Sequence, residues 1–395
     1  MKLRQSLALA ALASVMGAIS VSAHAAAISP GDLVVYRVGT GSASLTNAAN
    51  AVFLDEYNPT THALVQSIAL PTSVSGSNKM LTASGTATSE GELTISPDGK
   101  YLALTGYNAA LGTTGPSGGS IANSTSADVP RTVGIVDVST GAINTSTALT
   151  DSAIGGNNIR SAVTTDGASI WLGGAAGGVR YTTLGSTASN QISSSFTNVR
   201  EVDVFGGQLY VSAGASSLRL GAVGTNLPTN SGQTITNLPG LPTSSGSFYG
   251  FYFADLSPSV AGLDTLYVSD DSTGIRKYSL VGGTWNSNGV VGTAADAYRG
   301  LTATVSSGIV SLFATRKGGS GATGGGELVS LSDNGGYNAS FSSSTFTTIA
   351  TASANTAFRG VAYVPVSAAP VPVPAAVWLF GSALAGLVGI GRRKA

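Results

Sequence analysis

Few residues in this chain are equipped for chemistry. In 395 residues, Lys and Arg number 19, Asp and Glu 19, His 2 and Cys none, so the formal charges cancel. Without cysteine there is no disulfide framework, thiolate zinc site or thiol nucleophile. The most regular charged feature is an arginine that recurs ahead of short β-rich runs. It stands in Arg160-Ser161-Ala162-Val163-Thr164, Arg200-Glu201-Val202-Asp203-Val204, Arg299-Gly300-Leu301-Thr302-Ala303 and Arg359-Gly360-Val361-Ala362-Tyr363. Tyr249-Gly250-Phe251-Tyr252-Phe253 is a relative without arginine, and Gly91-Glu92-Leu93-Thr94-Ile95 diverges furthest. Four guanidinium groups at one channel mouth could grip carboxylate or sulfate through forked hydrogen bonds, as an acidic exopolysaccharide would offer. The same recurrence also suits arginines that tie neighbouring repeats together, through carbonyls or through Glu92, Glu201, Asp203 and Asp296. That structural role is the favoured expectation.

The other candidates are weaker. Asp270-Asp271, with Ser269 and Ser272, offers oxygen ligands to Ca²⁺ but lacks the spaced acidic loop of a calcium motif, and it reads as a solvated turn. Arg180, Arg219 and Arg276 recur in a later strand and read as inter-repeat or surface contacts. His62 follows Asn58-Pro59-Thr60-Thr61 in an outer turn and reads as a surface histidine. A serine nucleophile needs a base within hydrogen-bond reach, and no G-x-S-x-G turn is present. Asp55 and Glu56 are adjacent, so on a strand they face opposite ways and fail as a glycosidase pair. The Gly-rich stretches 115–120 and 317–326 lack the Lys-Ser/Thr ending and following helix of a phosphate loop. No clustered basic field exists for nucleic acid, and no cofactor is implied.

The elements that must position these residues are β-strands. Charged residues make up only 10% of the chain, and Gly is abundant at 53, which suits tightly turned β structure. From position 160 the recurrent element starts again after 40, 49, 50 and 60 residues; the gap from 91 to 160 is 69. A strand-turn-strand unit follows most of these starts. Examples are Ile170-Trp171-Leu172 with Val179-Arg180-Tyr181, Leu209-Tyr210-Val211 with Leu218-Arg219-Leu220, and Leu266-Tyr267-Val268 with Ile275-Arg276-Lys277-Tyr278. Each run is short, β-branched or aromatic, and bounded by turn residues. Four antiparallel strands at a period of 40–50 residues predict a β-propeller. Strands at 33–38, 52–57 and 64–70, with a lone strand at 360–364, are expected to form a composite blade that leaves no open edge at the seam. This count gives six blades. Seven is the alternative, because residues 71–130 are long enough to hide one more. Ser96-Pro97-Asp98-Gly99 resembles the turn of WD40-like and YVTN-like propellers, a resemblance that implies the fold and no activity.

The two ends read as an address. Residues 1–25 have the layout of a secretory signal: Lys2 and Arg4, an apolar run from Leu7 to Val21, and an A-x-A cleavage site at Ala23-His24-Ala25. The expected organisation is signal 1–25, propeller body 26–366, Pro-rich linker 367–374, and a hydrophobic helix with a basic tail over 375–395. The 17 residues from Ala375 to Gly391 carry no charge, and Arg392, Arg393 and Lys394 follow at once. That length is at the short limit for spanning a bilayer, and the cations hold their end in the cytoplasm. With Pro372 and Pro374 ahead of it, the run VPVPAAVWLFGSALAGLVGIGRRK resembles the PEP-CTERM sorting signal, with Val373 where Glu often stands. The resemblance implies export through the secretion translocon, an inner-membrane intermediate, and processing by an exosortase, a membrane cysteine protease or transpeptidase. It also implies a Gram-negative bacterium, often one that makes exopolysaccharide. The expectation is therefore a non-enzymatic surface or extracellular propeller that binds glycan or protein in a biofilm matrix. The alternatives are a lactonase- or phytase-like hydrolase and a purely structural envelope protein.

Overall fold

The computed structural model describes residues 26–151, 154–214, 216–341 and 345–366. The expected signal segment, linker and sorting tail lie outside the described residues. Within them the chain is an all-β propeller with no α-helix. No helix among the described residues is long and apolar enough to cross a membrane.

Strands run β1 (Leu33–Val38), β2 (Ala49–Tyr57), β3 (Leu64–Ala69), β4 (Thr82–Ser84), β5 (Leu93–Ile95), β6 (Tyr101–Tyr107), β7 (Arg131–Asp137) and β8 (Ile143–Leu149). A four-stranded antiparallel sheet follows: β9 (Ile159–Thr164), β10 (Ser169–Gly174), β11 (Val179–Thr183) and β12 (Asn190–Ser193). The next comprises β13 (Val202–Phe205), β14 (Gln208–Ser212), β15 (Leu220–Val223) and β16 (Ile235–Asn237). Then come β17 (Phe248–Ala254), β18 (Thr265–Asp270), β19 (Gly274–Val281) and β20 (Thr284–Val291). A fourth sheet has β21 (Leu301–Ser306), β22 (Ile309–Arg316), β24 (Glu327–Asp333) and β25 (Thr347–Thr351), with the two-residue β23 (Gly324–Gly325) between them in sequence. The last strand, β26 (Thr356–Tyr363), pairs antiparallel with β1, Leu33 opposite Tyr363 and Val38 opposite Ala357.

Separate four-stranded sheets therefore number four, not six. The strands expected to form the other two belong to one ten-stranded sheet. The cause is β4, a strand the sequence reading does not anticipate. The first part of the nine-residue β2, Ala49–Ala51, pairs with β4 while its second part pairs with β3. Thr82 of β4 also meets Tyr107 of β6, so one sheet runs on into the next. Residues 71–130 thus add a bridging strand and β5–β6, with no separate sheet of their own.

The ring is held by hydrogen bonds between the starts of successive inner strands. Gly360 N donates to Gly91 O (2.9 Å), Glu92 N to Arg160 O (3.0 Å) and Val202 N to Ser161 Oγ (3.0 Å). Phe251 N donates to Glu201 Oε1 (3.3 Å), Gly250 N to Arg299 O (3.0 Å) and Thr315 Oγ1 to Arg359 O. The recurrent element seen in the sequence is thus the inner strand's entry to the ring. The glycine after the arginine is there because the backbones nearly touch. A Cβ on Gly300 would sit 2.9 Å from Gly360 Cα, and one on Gly360 would sit 2.4 Å from Leu93 N. Apolar residues fill the spaces between sheets, for example Val202, Val204, Leu209 and Val211 against Val163 and Trp171. At the far end of β5, Ser96 Oγ donates to Asp98 Oδ1 (2.7 Å), and Gly99 takes φ 73°, which closes the turn into β6.

Candidate functional site

The inner strands enter the ring at one end, and their arginines gather there. Arg160 Nη1 donates to Asn198 Oδ1 (2.5 Å) and Val199 O (2.8 Å). Arg359 donates to Phe358 O (3.2 Å), Gly85 O (3.2 Å) and Gly319 O (3.4 Å). Arg299 Nη2 pairs with Asp271 Oδ2 at 3.3 Å. Arg200 lies over the Tyr249 ring at 4.5 Å, and Arg299 approaches the same ring at 5.2 Å. Burying these cations in a low-dielectric hub disfavours the charged form, and it pulls Arg160 and Arg359 down to about 10. Glu92, 2% exposed, is the carboxylate among them. Its desolvation outweighs the attraction of Arg299, Arg200, Arg160 and Arg359, so its carboxyl is pushed up to about 7. The space beside Glu92, Arg299 and Arg359 is only about 10 Å³, room for a single water. Glu92 Oε2 and the Nε atoms of all four arginines are buried without a hydrogen-bond partner in the protein.

The other end of the channel is open. Five inner strands, β5, β13, β17, β21 and β26, line a cavity of about 300 Å³ there. That volume is at the lower edge of the range for small-molecule sites. On β13 the period of two turns Val202 and Val204 into the apolar core and leaves Glu201, Asp203 and Phe205 on the opposite face. Asp203 is half-buried; its Oδ1 accepts only from Val204 N (2.7 Å), and desolvation pushes its carboxyl up to about 8. Glu201 is 3% exposed and raised well above the usual carboxylate range by burial, then by Glu92 and Asp203. Phe205 meets Tyr252 edge-on with centroids 5.6 Å apart. Tyr363, Ser96 and Thr304 complete the wall, and the lining contains no Lys, Arg or His.

The remaining candidates separate from these two ends. The Asp270 carboxylate is fully buried, which corrects the reading of a solvated turn. It accepts from Ser247 N, Ser272 and Thr273 and pairs with Arg276 at 2.7 Å. Its oxygens are taken by the turn itself, while Asp271 serves Arg299. Asp296 pairs with Arg316 (3.0 Å) and not with the recurrent arginines. Glu201 and Asp203 form no ion pair with them either, among the described residues. Arg180 pairs with Asp151 (3.0 Å) and Arg219 Nε donates to Ser245 O (2.9 Å), both reaching loops outside their own sheets. His62 lies exposed in the β2–β3 turn. Among the described residues no group of three or more His, Cys, Asp or Glu is placed to hold a metal ion.

Sequence reasoning missed the role of Asp203 with Phe205. The visible signal was the alternation along 201–205, with two acids and an aromatic on one side and two valines on the other. It also missed Glu90, buried under Ser84 N, Tyr107 OH and Asn158 Nδ2 beside the arginine end.

No protein-family profile matches the chain, and no curated protein matches it. Among solved structures it is similar to the periplasmic gluconolactonase PpgL of Pseudomonas aeruginosa, at 12% sequence identity and a TM-score of 0.41, with 82% of each chain covered. The likeness is loose, and the fold assignment rests on the strand pairing itself.

Proposed function

We propose that this chain is an exported propeller that binds a small ligand in the open end of its central channel, while its arginine end locks the ring. The observation that carries the reading is the contrast in free space: about 300 Å³ at one end and about 10 Å³ at the other. We read the ten-stranded sheet as two blades joined through β4, which makes six. The hydrolase alternative would need one of the two cavity carboxyls, both held toward the protonated form by burial, to ionise when substrate binds. The test is Thr304→Phe, which fills the cavity from β21. Small molecules bound by the full-length chain should be lost in this variant at unchanged thermal midpoint. Binding that survives it contradicts the reading.

The export reading rests on the two terminal segments. An exosortase that removes the tail should leave a mature protein lighter than the same chain from cells lacking that enzyme. Equal masses would leave the tail as a plain anchor.

A second reading takes the gathering of four arginines at one end as a grip for the carboxylates of an acidic exopolysaccharide. Their Nε atoms are buried, so such a ligand would have to meet the outer guanidinium nitrogens. Replacing Arg160, Arg200, Arg299 and Arg359 together with Gln separates the roles. Loss of glycan binding by a folded protein supports this reading, and loss of the fold supports the structural one.

A further inference from the structure

Building on the open-end reading, we propose that the cavity takes an organic cation, a small ammonium group, with Asp203 as its counter-ion and the rings of Phe205 and Tyr252 in its wall. The lining holds two carboxyls and no cation of its own. Asp203 reaches the cavity surface, and Glu201 stands behind it on the same side of β13. Any ligand that brings positive charge supplies what the wall lacks.

The chemistry favours charge. Only desolvation holds Asp203 protonated, opposed by a single backbone hydrogen bond. A cation beside the carboxyl opposes that desolvation and favours the ionised form. The aromatic rings add a cation–π attraction. A neutral polyol gains hydrogen bonds from the protonated acids but neither of these contributions.

Binding then displaces a proton, so affinity rises with pH. The titratable groups that share the cavity wall with Asp203 are Glu201 just ahead of β13, Tyr252 from β17 and Tyr363 from β26, with Glu92 acting on Glu201 from the β5 side. All are acids.

The experiment titrates the full-length chain with choline and with 3,3-dimethylbutan-1-ol, which has the same shape without the charge. Choline should bind at least about tenfold tighter than the alcohol, and its affinity should rise about fiftyfold between pH 6 and pH 8 as Asp203 ionises. Asp203→Asn, which mimics the protonated acid in size, should lose that advantage and the pH slope. If the alcohol or glucose binds as well as choline, or Asp203→Asn keeps choline's affinity, the cation assignment is wrong while the open-end site stands. If no cationic, neutral or anionic probe distinguishes the parent chain from Thr304→Phe, both fall.

Discussion

The arginine end draws on six chain entries and the open end on five of the same inner strands, yet the two differ in charge and in free space. At one end, the repeated arginine and the residue after it are spent on closure: carbonyls, a tyrosine face and one buried glutamate absorb the cations. At the other end, three or four residues along the same strands, repetition stops and each strand contributes a different side chain. Asp203, Phe205, Tyr252 and Tyr363 have no counterpart from repeat to repeat, and that is where space remains. Recurrence in this protein marks what the ring needs to hold together. The idiosyncratic positions mark where a ligand fits.

Substitutions at the arginine end should separate it from the cavity most sharply. Arg359→Gln removes a buried cation that satisfies Phe358, Gly85 and Gly319 carbonyls. It should cost about 3 kcal/mol or more in urea unfolding. Arg200→Gln loses mainly its stack on Tyr249 and should cost about 1 kcal/mol. Equal losses would break the assignment of Arg359 as a tie between sheets.

Gly300→Ala comes next. Its Cβ would press on Gly360 Cα and Val361 N, both at 2.9 Å. It should destabilise by about 1–3 kcal/mol without changing ligand affinity. A ligand effect equal to that of Thr304→Phe would mean that the two ends are mechanically one site.

The pH dependence of stability gives a third comparison. Glu92 and Asp203 both have folded-state values above their ordinary ones, 4.5 to about 7 and 3.8 to about 8. Their contribution is therefore fully present below pH 4 and lost as pH rises through 7 and 8. Thermal midpoints should fall across that window. Glu92→Gln should remove the part of the fall that runs from 4.5 to about 7, and Asp203→Asn the part from 3.8 to about 8. A midpoint that rises over the same window contradicts both placements. The smallest effect is expected at His62→Asn. This residue is exposed at φ 61°, a conformation asparagine tolerates. Stability should stay within about 0.5 kcal/mol, with ligand binding unaffected.

Much of this architecture was legible in the residues. Short strands between Gly- and Asp-rich turns gave the all-β class, and the repeated arginine with a small or polar residue after it marked the inner-strand entries. The alignment also put Tyr249 at an arginine position, where it lies beside both Arg200 and Arg299. Two things were not legible. A three-residue strand such as Thr82–Ser84 has no periodic signal of its own, so the fusion of two sheets through β4 could not be read. The cavity is formed by side chains from strands up to about 270 residues apart (Leu93 on β5, Tyr363 on β26), and its free volume depends on how five of them meet. Sequence reasoning weighed Glu201 and Asp203 as partners for arginine, because neighbours in sequence suggested it. The pleat turns Asp203 into the open cavity, and Glu201 stands between it and Glu92.

The central claim is that ligands go to the open end. The most direct measurement is side-chain NMR of the full-length chain, titrated in turn with choline and with galacturonate. The account predicts that choline shifts the signals of Asp203, Phe205, Tyr252 and Tyr363, while the Nε–H signals of Arg160, Arg200, Arg299 and Arg359 stay in place with either compound. Movement of those four arginine signals on adding galacturonate, with the cavity residues silent throughout, would contradict it.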